Sequence, residues 1–531
     1  MATSRADGFV RAVVSIRERE RCVMKMDDRL SRLDANSLRV ENIEGVPTTL
    51  FANEQVPIES SAIEELLSLL ELQKTVKQIA ETDSRFFDVE PDLLKVAVTP
   101  DFHKAAGVPV GTVMATRGFV VPAAIGNDVN CGMRLHLTTL SAEKLTPHLD
   151  SLEARLRRTY FQGGRDIAMT RVQREALFRE GLAGLLASVP KDQRIGLWDA
   201  FHRHAERDLK RVEQNGSLRA NTTFGLSDFL GPDELSRDNQ IGSIGGGNHF
   251  VEIQRVERVL DGTTAHAWGL KPGMVTVMVH TGSVAVGHLC GSHYRERIRG
   301  IHPPSLKYPR NGVFVLPDGG RFENELNHFW DCLHNAANFA FANWLFLALM
   351  ALEVLRIECG EQEFSLLYDA PHNMVWREEL DGEPVFIHRK GACPARGLEQ
   401  MAGTDFAYYG EPVLVPGSMG ASSFVLAGRG NPDALWSASH GAGRTLSRGD
   451  ALKGNDAAFE RFMKEFRIVT PVDFRRTDVK QRRDIVEKKL EDIKKEAPFA
   501  YKGIGAIIKT LEGAGMARPV AELKPLLTIK G

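Results

Sequence analysis

Short apolar runs that end in glycine-rich loops recur along two stretches of this chain, and they constrain its fold more than any other feature. The first stretch covers residues 95–137 and the second residues 242–443, and the chain has 48 glycines among its 531 residues. Runs of this length, cut by Gly and Pro, are typical of β-strands joined by tight loops. A nearly uncharged segment, residues 339–355, interrupts the second stretch and predicts a buried helix. This order indicates an α+β fold.

The apolar segment at residues 339–355 also has to be weighed as a membrane span. It is at the short end of the length needed to cross a bilayer, and Asn343 and Glu353 interrupt it. We therefore expect a helix that is buried in the protein core.

Three further segments have helical patterns. Residues 61–81 combine an apolar face with capping-box spacing at Ser61 and Glu64, which predicts a core helix. Residues 152–216 are helical and strongly charged. Their two neighbouring histidines, His202 and His204, are two positions apart, so they would not face each other on a helix and do not indicate a metal site. Residues 479–495 predict a polar, charge-rich helix.

Overall composition excludes some functions and locations. The 67 basic and 69 acidic residues leave a formal charge of -2, so any surface that binds nucleic acid must be local. The six cysteines lie far apart in the sequence, which fits reduced thiols in the cytoplasm better than a secreted disulfide framework. Charged residues precede any long apolar run at the N-terminus, unlike a secretory signal. We therefore predict a cytoplasmic protein.

Five side chains that commonly bind metals lie in or beside the glycine-rich loops. Two share the loop NDVNCGMR, where a spacing of three lets a carboxylate and a thiolate point the same way, and three are histidines in GGGNHF, VMVHTGS and YDAPHNM. This donor set suits a borderline divalent ion such as Mn, Zn, Co or Ni, although any one of them alone is more typical of an ordinary core residue. The five residues are Asp128, Cys131, His249, His280 and His372.

His440, in SASHGAGRTLSR, is a separate candidate. Arg444 and Arg448 follow it by four and eight residues, so both guanidiniums would lie near the imidazole if the segment is helical. A neutral imidazole can attack phosphorus, and arginines can stabilise the phosphoryl charge. The alternative is a histidine at a helix start followed by solvated arginines.

Two glycine-rich strings, GSIGGGNHF and PGSMGASSF, can offer backbone amides to phosphate oxygens. The chain has no GxxxxGK[ST] motif, and GIGAII at residues 503–508 lacks the third glycine of a dinucleotide fingerprint. The two common nucleotide-binding motifs are therefore excluded.

Taken together, these strings resemble the RtcB family of RNA ligases. They occur in that family's order, DVNCGMR, GGGNHFVE, HTGS, HNM, HRKGA, PGSMG and SHGAGR, from about residue 40 to the C-terminus. The resemblance implies an RtcB-like α+β fold, with mixed β-sheets flanked by helices around a central metal-binding cleft. It also implies a catalytic domain of residues 39–531, with residues 1–38 as an N-terminal extension or solvated helix.

The resemblance further implies a chemistry. The five donors would bind two manganese ions, with Cys131 as the bridging ligand, and His440 would take GMP from GTP. GMP would pass to an RNA 3′-phosphate, after opening of any 2′,3′-cyclic phosphate, and an RNA 5′-hydroxyl would displace it to seal the strand. Arg389, Lys390 and Arg448 would contact RNA or guanylate, and an archease-type activator is left open. The residues that match guanylate-holding positions are Asn248, Glu252, Ser418, Ser423, Arg444, Tyr501 and Lys530.

Two positions depart from the family pattern and indicate a divergent paralogue. Val284 stands where the family usually has an arginine after the HTGS motif, so a phosphate-binding guanidinium is missing, and TPDFHKAAG replaces PD-x-H-Q-G. Two alternatives to a ligase therefore stay open. One is a metal-dependent phosphodiesterase that acts on RNA ends without guanylation, and the other is an RNA-binding paralogue that does not ligate.

Overall fold

The computed structural model describes residues 27–531 except residues 224 and 475. Its strands, in chain order, are β1 (Leu30–Arg32), β2 (Ser37–Val40), β3 (Thr48–Phe51), β4 (Asp92–Ala106), β5 (Val108–Arg117), β6 (Phe119–Val120), β7 (Gly132–Ser141), β8 (Ala168–Met169), β9 (Ser236–Arg237), β10 (Phe250–Val259), β11 (Met274–Thr281), β12 (Leu316–Pro317), β13 (Phe364–Pro371), β14 (Asn373–Leu380), β15 (Glu383–Lys390), β16 (Ala392–Pro394), β17 (Pro412–Val415), β18 (Ser423–Gly428), β19 (Ser437–Ser439), β20 (Ile468–Val469) and β21 (Ala517–Ile529).

The α-helices of the described residues alternate with these strands. They are α1 (Ser60–Leu70), α2 (Leu72–Thr82), α3 (Ala142–Leu145), α4 (Leu149–Phe161), α5 (Arg171–Ser188), α6 (Leu197–Asp208), α7 (Ser227–Leu230), α8 (Gly262–Trp268), α9 (Val284–Ile301), α10 (Glu323–Cys359), α11 (Arg448–Ala451), α12 (Asp456–Glu465), α13 (Thr477–Lys480), α14 (Arg483–Lys495) and α15 (Ile504–Gly513). The predicted α+β class is confirmed.

Two large sheets carry most of the strands. The first has the order β1-β2-β3-β4-β5-β15-β14, and the second has the order β13-β7-β11-β10-β21-β18-β17, with β20 beside β21. In the second sheet β7, β11, β10 and β13 are joined antiparallel, with Gly132 opposite both Thr281 and Pro371. The first residues of β7 and β10 therefore lie beside the last residues of β11 and β13, at one end of these four strands.

Within residues 27–38, strand β1 and the start of β2 belong to the first sheet, whereas the sequence predicted an extension or a solvated helix there. Leu30 and Leu38 are buried because β1 and β2 place them on the core face. Residues 1–26 lie outside the described residues, so the division into an extension and a catalytic domain stays a prediction.

The apolar segment forms the middle of α10, and its prediction as a buried helix is confirmed. Of its most apolar 18-residue stretch, 83% is buried inside the protein, although the helix is long and apolar enough to cross a membrane by length and composition alone. Trp344 donates a hydrogen bond to the Thr281 carbonyl (2.8 Å), and the Asn343 side chain accepts from the backbone of Gly242 (2.8 Å) and Ser243 (3.0 Å). The helix thus supports two of the glycine-rich loops.

Two helix predictions need correction in detail. The predicted helix at 61–81 is broken at Glu71 into α1 and α2, and α1 begins at Ser60 with no side-chain cap, so the capping box is wrong. Its apolar face does pack into the core. The polar helix predicted at 479–495 is likewise two helices, α13 and α14.

Candidate functional site

The five predicted metal-binding side chains lie together where strands β7, β10, β11 and β13 of the second sheet begin or end. Cys131 precedes β7, His249 precedes β10, His280 is near the end of β11 and His372 follows β13. Because these four strands meet there, residues far apart in sequence become neighbours. The structure therefore brings together all five donors, including Asp128.

The loop before β7 turns sharply enough to aim two donors together. Asn130 adopts a left-handed conformation (φ 53°), which asparagine tolerates better than most residues, and the Cys131 amide donates to the Asp128 carbonyl at 3.1 Å. Gly282 lies directly against this loop, since a Cβ there would overlap the Asp128 carboxylate. Glycine is thus required for the close approach of the β11 end to Asp128.

The donors form two triads that share one thiol. Cys131, His280 and His372 have ligand atoms within 4.8 Å of one another, and so do Asp128, Cys131 and His249. Cys131 Sγ lies 3.3 Å from His249 Nε2 and 3.4 Å from His280 Nε2, and His249 Nε2 lies 2.8 Å from Asp128 Oδ2. Two neighbouring positions for a cation, joined by a sulfur, follow from this geometry.

The chemistry of these donors fits divalent cations. Burial and the charges of neighbouring groups hold the pKa of His280 and of His372 well below the usual value, so both imidazoles are neutral donors. Burial raises the pKa of Asp128, but the neighbouring His249 and Cys131 more than offset it and keep the carboxyl ionised. Asp128 Oδ1 and His372 Nδ1 are buried without a hydrogen-bond partner among the described residues. A cation would relieve the cost of such unpaired polar atoms.

The raised pKa of the Cys131 thiol also indicates a cation site. Burial, together with the nearby Asp128 carboxylate, raises the pKa of the thiol well above its usual value. Thiolate formation in this place therefore requires a compensating positive charge, which a bound metal ion supplies. His249 Nδ1 lies 3.1 Å from the Ile244 carbonyl, and this contact orients Nε2 toward the cluster.

His440 lies beside the donor cluster and is held by a carboxylate that sequence analysis missed. The His440 and His372 ring centroids are 4.6 Å apart, and His440 Nδ1 lies 2.6 Å from Asp101 Oδ2. Asp101 is fully buried in β4, where Thr99 Oγ1 donates to its Oδ1 at 2.5 Å. Burial raises the pKa of Asp101, but the contacts with His440, Thr99 and Ser439 lower it by more, so the pKa is below its usual value. A carboxylate this close to Nδ1 favours the tautomer that carries the ring proton on Nδ1 and the lone pair on Nε2.

A cavity of about 840 Å³ surrounds His440 and the donor cluster. It is large enough for a nucleotide. Of the predicted guanylate-holding residues, six line it: Asn248, Glu252, Ser418, Arg444, Tyr501 and Lys530. Ser423 does not line it; this side chain is buried behind the wall and accepts a hydrogen bond from Gln254 at 3.0 Å, and Gln254 also donates to Glu252 at 2.7 Å.

Glu252 and Lys530 mark the polar end of this cavity. Burial raises the pKa of Glu252 to about 7, while the Thr528 hydroxyl and Gln254 donate to its carboxylate. Burial also lowers the pKa of Lys530 to about 8, and its ammonium donates to the carbonyls of Gly247 (2.5 Å) and His249 (2.9 Å). Both groups therefore titrate close to neutral pH.

The segment after His440 is not helical, contrary to the condition on which the spacing argument rested. Residues 440–447 form a loop, and a hydrogen-bonded cluster joins the two arginines instead: Arg444 donates to Glu496 at 2.9 Å and Arg448 donates to it at 3.1 Å. The Arg444 guanidinium also lies over the Tyr501 ring, 5.0 Å from its centroid. Glu496, which the sequence gave no reason to select, thus fixes the position of both arginines and of Tyr501.

The prediction that Arg389 contacts RNA or guanylate is wrong. Its side chain is 1% exposed and is bonded to Glu378 (2.6 Å) and Ser437 (2.8 Å). A guanidinium buried in this way is out of reach of a ligand in the cavity, which Arg389 does not line. Lys390, the next residue, does line the cavity.

Comparison with known proteins identifies the family of this chain. The family model described as "tRNA-splicing ligase RtcB" matches residues 91–531. The chain belongs to the RtcB family. The RNA-splicing ligase RtcB of Mycobacterium tuberculosis is 35% identical over 81% of this chain and 96% of its own length. The tRNA-splicing ligase RtcB of Thermococcus kodakarensis is 31% identical over 90% of this chain and 95% of its own.

Within this RtcB chain, Val284 has an unusual backbone. It is the first residue of α9 and has φ 44°, a left-handed conformation that β-branched residues rarely adopt. Its side chain turns toward the loop before His249, since a Cβ on Gly245 would lie 2.8 Å from Val284 Cγ1. Val284 therefore packs against the loop before His249 and is not among the residues that line the cavity.

Proposed function

We propose that this RtcB-family protein is an RNA ligase that depends on GTP and manganese. It joins RNA 3′-phosphate or 2′,3′-cyclic phosphate ends to 5′-hydroxyl ends through a guanylated His440. One observation carries the proposal: two donor triads share Cys131, and a histidine paired with a buried carboxylate lies against one of them. The family supports a ligase that acts in RNA splicing.

Two manganese ions would be held by Asp128, Cys131 and His249 on one side and by Cys131, His280 and His372 on the other. Bound there, they would polarise phosphate oxygens and align the reacting groups. Manganese accepts nitrogen, oxygen and thiolate ligands, and the mixed donor set supports it over magnesium or calcium.

His440 is the proposed nucleophile. Asp101 holds the proton on Nδ1, so Nε2 attacks the α-phosphorus of GTP, a P–N bond forms and the P–O bond to pyrophosphate breaks. An oxygen of the RNA 3′-phosphate then attacks the same phosphorus, the P–N bond breaks and GMP moves to RNA. Finally the RNA 5′-hydroxyl attacks the RNA phosphate and GMP leaves. Every step is a phosphoryl or nucleotidyl transfer within one cavity.

The guanylate would occupy the polar end of the cavity. Glu252 can accept hydrogen bonds from the guanine edge, Tyr501 can stack on the ring, and Lys530 can donate to an acceptor oxygen. Asn248, Ser418 and Arg444 line the same space, and Ser423 acts through Gln254, to which both it and Glu252 are bonded.

The deciding experiment is incubation with manganese and GTP radiolabelled at the α-phosphate, followed by denaturing electrophoresis. We expect acid-labile label on the protein, loss of that label in His440→Ala, and retention in His266→Ala, a matched control at an exposed histidine. A joining assay with 3′-phosphate and 5′-hydroxyl RNA then tests the complete reaction. Absence of label under manganese, zinc, cobalt and nickel would refute guanylation.

Val284 favours a second candidate, an RNA-binding paralogue that does not ligate. Because a valine stands where the family usually has an arginine, one positive side chain is missing. Guanylation of His440 would then continue, but the transfer of GMP to RNA would stop. Labelled protein without any joined RNA would support this candidate. A third candidate, a metal-dependent phosphodiesterase that acts on RNA ends, would cleave a 2′,3′-cyclic phosphate in His440→Ala as fast as in the unaltered protein.

Three broader expectations accompany the proposal. Residues 39–531 would act as one catalytic domain around a metal-binding cleft, and the protein would work in the cytoplasm, which the free thiols among its described cysteines support. An archease-type activator remains a candidate partner alongside broken RNA and GTP. Adding an archease to the joining assay and measuring turnover beyond one RNA per chain tests that partner.

A further inference from the structure

Helix α9 carries a row of four residues on one face that leads back toward the donor cluster. Val284 begins the helix in a left-handed conformation, and Arg295 is eleven residues further on, close to three full helical turns, so the two positions lie on nearly the same side of α9. Gly287 and Gly291 lie between them on that face. The face therefore presents a valine, two glycines and an arginine in order.

The two glycines allow close contact along this face. A methyl group at Gly287 would lie 3.2 Å from the Asn127 carbonyl oxygen, and one at Gly291 would lie 3.4 Å from Arg295 Nη2. The loop that contains Asn127 consequently packs on the helix itself. The Arg295 side chain runs back along the helix toward its N-terminus, the direction that helical side chains favour.

Arg295 itself lines a separate cavity with Pro122 and Phe314, but its guanidinium reaches a residue that lines the catalytic cavity. Arg295 Nη1 donates to the Asn127 side chain, and Asn127 lines the cavity next to the donor Asp128. In the part of the chain that the structure describes, Arg295 pairs with no carboxylate, so most of its five donors are available to an anion.

Lys390 provides a second cation on the other side of the same loop. It lines the cavity and donates to the Val108 carbonyl at 2.6 Å. Its pKa is about 8, lowered by burial; Glu65 raises it and the nearby charge of Arg295 lowers it. Both cations contact the same loop, since Lys390 Cε would lie 3.8 Å from a Cβ on Gly126 and Arg295 donates to Asn127. Together they suit the two charges of a terminal phosphate bound at this loop.

We propose that Arg295 binds the 3′-terminal phosphate of the RNA, together with Lys390, and takes the part of the cation that Val284 lacks. This inference rests on the proposed function, since it names how the RNA end is held. The same helix face would thus supply the charge from three turns further along the chain. Arg295 is a specificity-determining residue in this view, because it distinguishes a phosphorylated end from a hydroxyl end.

The test compares binding of two RNAs of one sequence, with 3′-phosphate or 3′-hydroxyl ends, to the metal-loaded protein. We expect Arg295→Ala to weaken binding of the 3′-phosphate RNA about 10- to 100-fold, the usual effect of losing a charged hydrogen bond, and to leave the 3′-hydroxyl RNA unchanged. Arg295→Lys should lose less. Arg299→Ala is the matched control, because Arg299 lies one turn further on and packs on Tyr308, 5.0 Å from the ring centroid.

A second variant tests whether the two positions serve the same phosphate. Val284→Arg introduced into Arg295→Ala should restore the preference for the 3′-phosphate. Equal weakening of both RNAs, an equal effect of Arg299→Ala, or no recovery in the double variant overturns the inference. Labelling by GTP should remain within threefold in all variants, which shows that they are folded. If the unaltered protein joins no RNA, the proposed function fails, but the comparison of the two RNAs still decides the role of Arg295.

Discussion

Replacing Asp101 by Asn should nearly abolish guanylation while leaving the protein folded. The Asp101 side chain is fully buried and its Oδ2 lies 2.6 Å from His440 Nδ1, while its Oδ1 accepts from Thr99. An asparagine of the same shape keeps its oxygen toward Thr99 and turns its amide NH₂ toward His440. Nδ1 must then accept, the ring proton moves to Nε2, and the attacking lone pair is lost.

Two limits bracket the size of this effect. Loss of a charge-assisted hydrogen bond alone costs about 1.5–3 kcal/mol, which is about 10- to 10²-fold in rate. The corresponding substitution in a serine protease triad, where the ring is also left in the wrong tautomer, costs about 10⁴-fold. Because Asp101 controls both charge and tautomer, we expect a fall of about 10²- to 10⁴-fold.

The assay is the initial rate of protein labelling by α-labelled GTP at saturating manganese, with the metal content of each variant measured in parallel. Asp405→Asn serves as the control, since Asp405 forms a surface ion pair with Lys210 and Arg211. The expected result is a slow Asp101→Asn with an unchanged number of bound metal ions. A rate within threefold of the unaltered protein would falsify the assignment of Asp101 as the residue that sets the His440 tautomer.

Three other substitutions test the site and its support. Cys131→Ala should lower bound manganese from two ions to less than one per chain and abolish both labelling and joining, because each triad loses its shared ligand; full labelling would contradict the bridging role. Glu252→Gln should weaken GTP binding about 10-fold or more. In the unaltered protein GTP affinity should fall as the pH drops through about 7, the pKa of Glu252, since the ionised form is the acceptor; a flat pH profile would count against it. Gly132→Ala should lower the free energy of unfolding by about 1–3 kcal/mol, because its Cβ would lie 2.5 Å from the Trp344 ring. Gly262→Ala, with no atom within 4 Å of its Cβ and a position at the start of a helix, should melt at the same or a slightly higher temperature.

The sequence predicted well those features that depend on local residue types. The buried helix followed from an uncharged run at the short end of the length that spans a bilayer. The five candidate donors, which the structure brings together, followed from their side-chain types at the ends of apolar runs; their role as metal ligands stays a prediction. A donor at the end of a strand projects beyond the sheet into the adjoining cavity, so its place in the sequence, directly after or before an apolar run, indicates its place in the structure. The α+β class followed from the same alternation of short runs and one long apolar segment.

The sequence could not predict which side chains that are far apart along the chain contact each other in the fold. Asp101 is 339 positions before His440 in the numbering, and in isolation it is an acidic residue after a proline, a common turn signal. Arginine is usually a surface residue, and the sequence around Arg389 gives no sign of burial. The register of β15 turns this side chain into the core, where Glu378 pairs with it. The capping box failed because Ser61 lies inside the first turn of α1 and not at its start. In each case tertiary contacts override a local preference.

The position of β21 has a consequence for how the protein is made. It pairs with β10 on one side and with β18 on the other, so the second sheet remains two separate pieces until Ala517–Ile529 has left the ribosome. Both pieces present unpaired backbone along an open edge during that time, and such edges invite pairing with other chains. Chains cut short before β21 would keep both edges open and should therefore accumulate as aggregates.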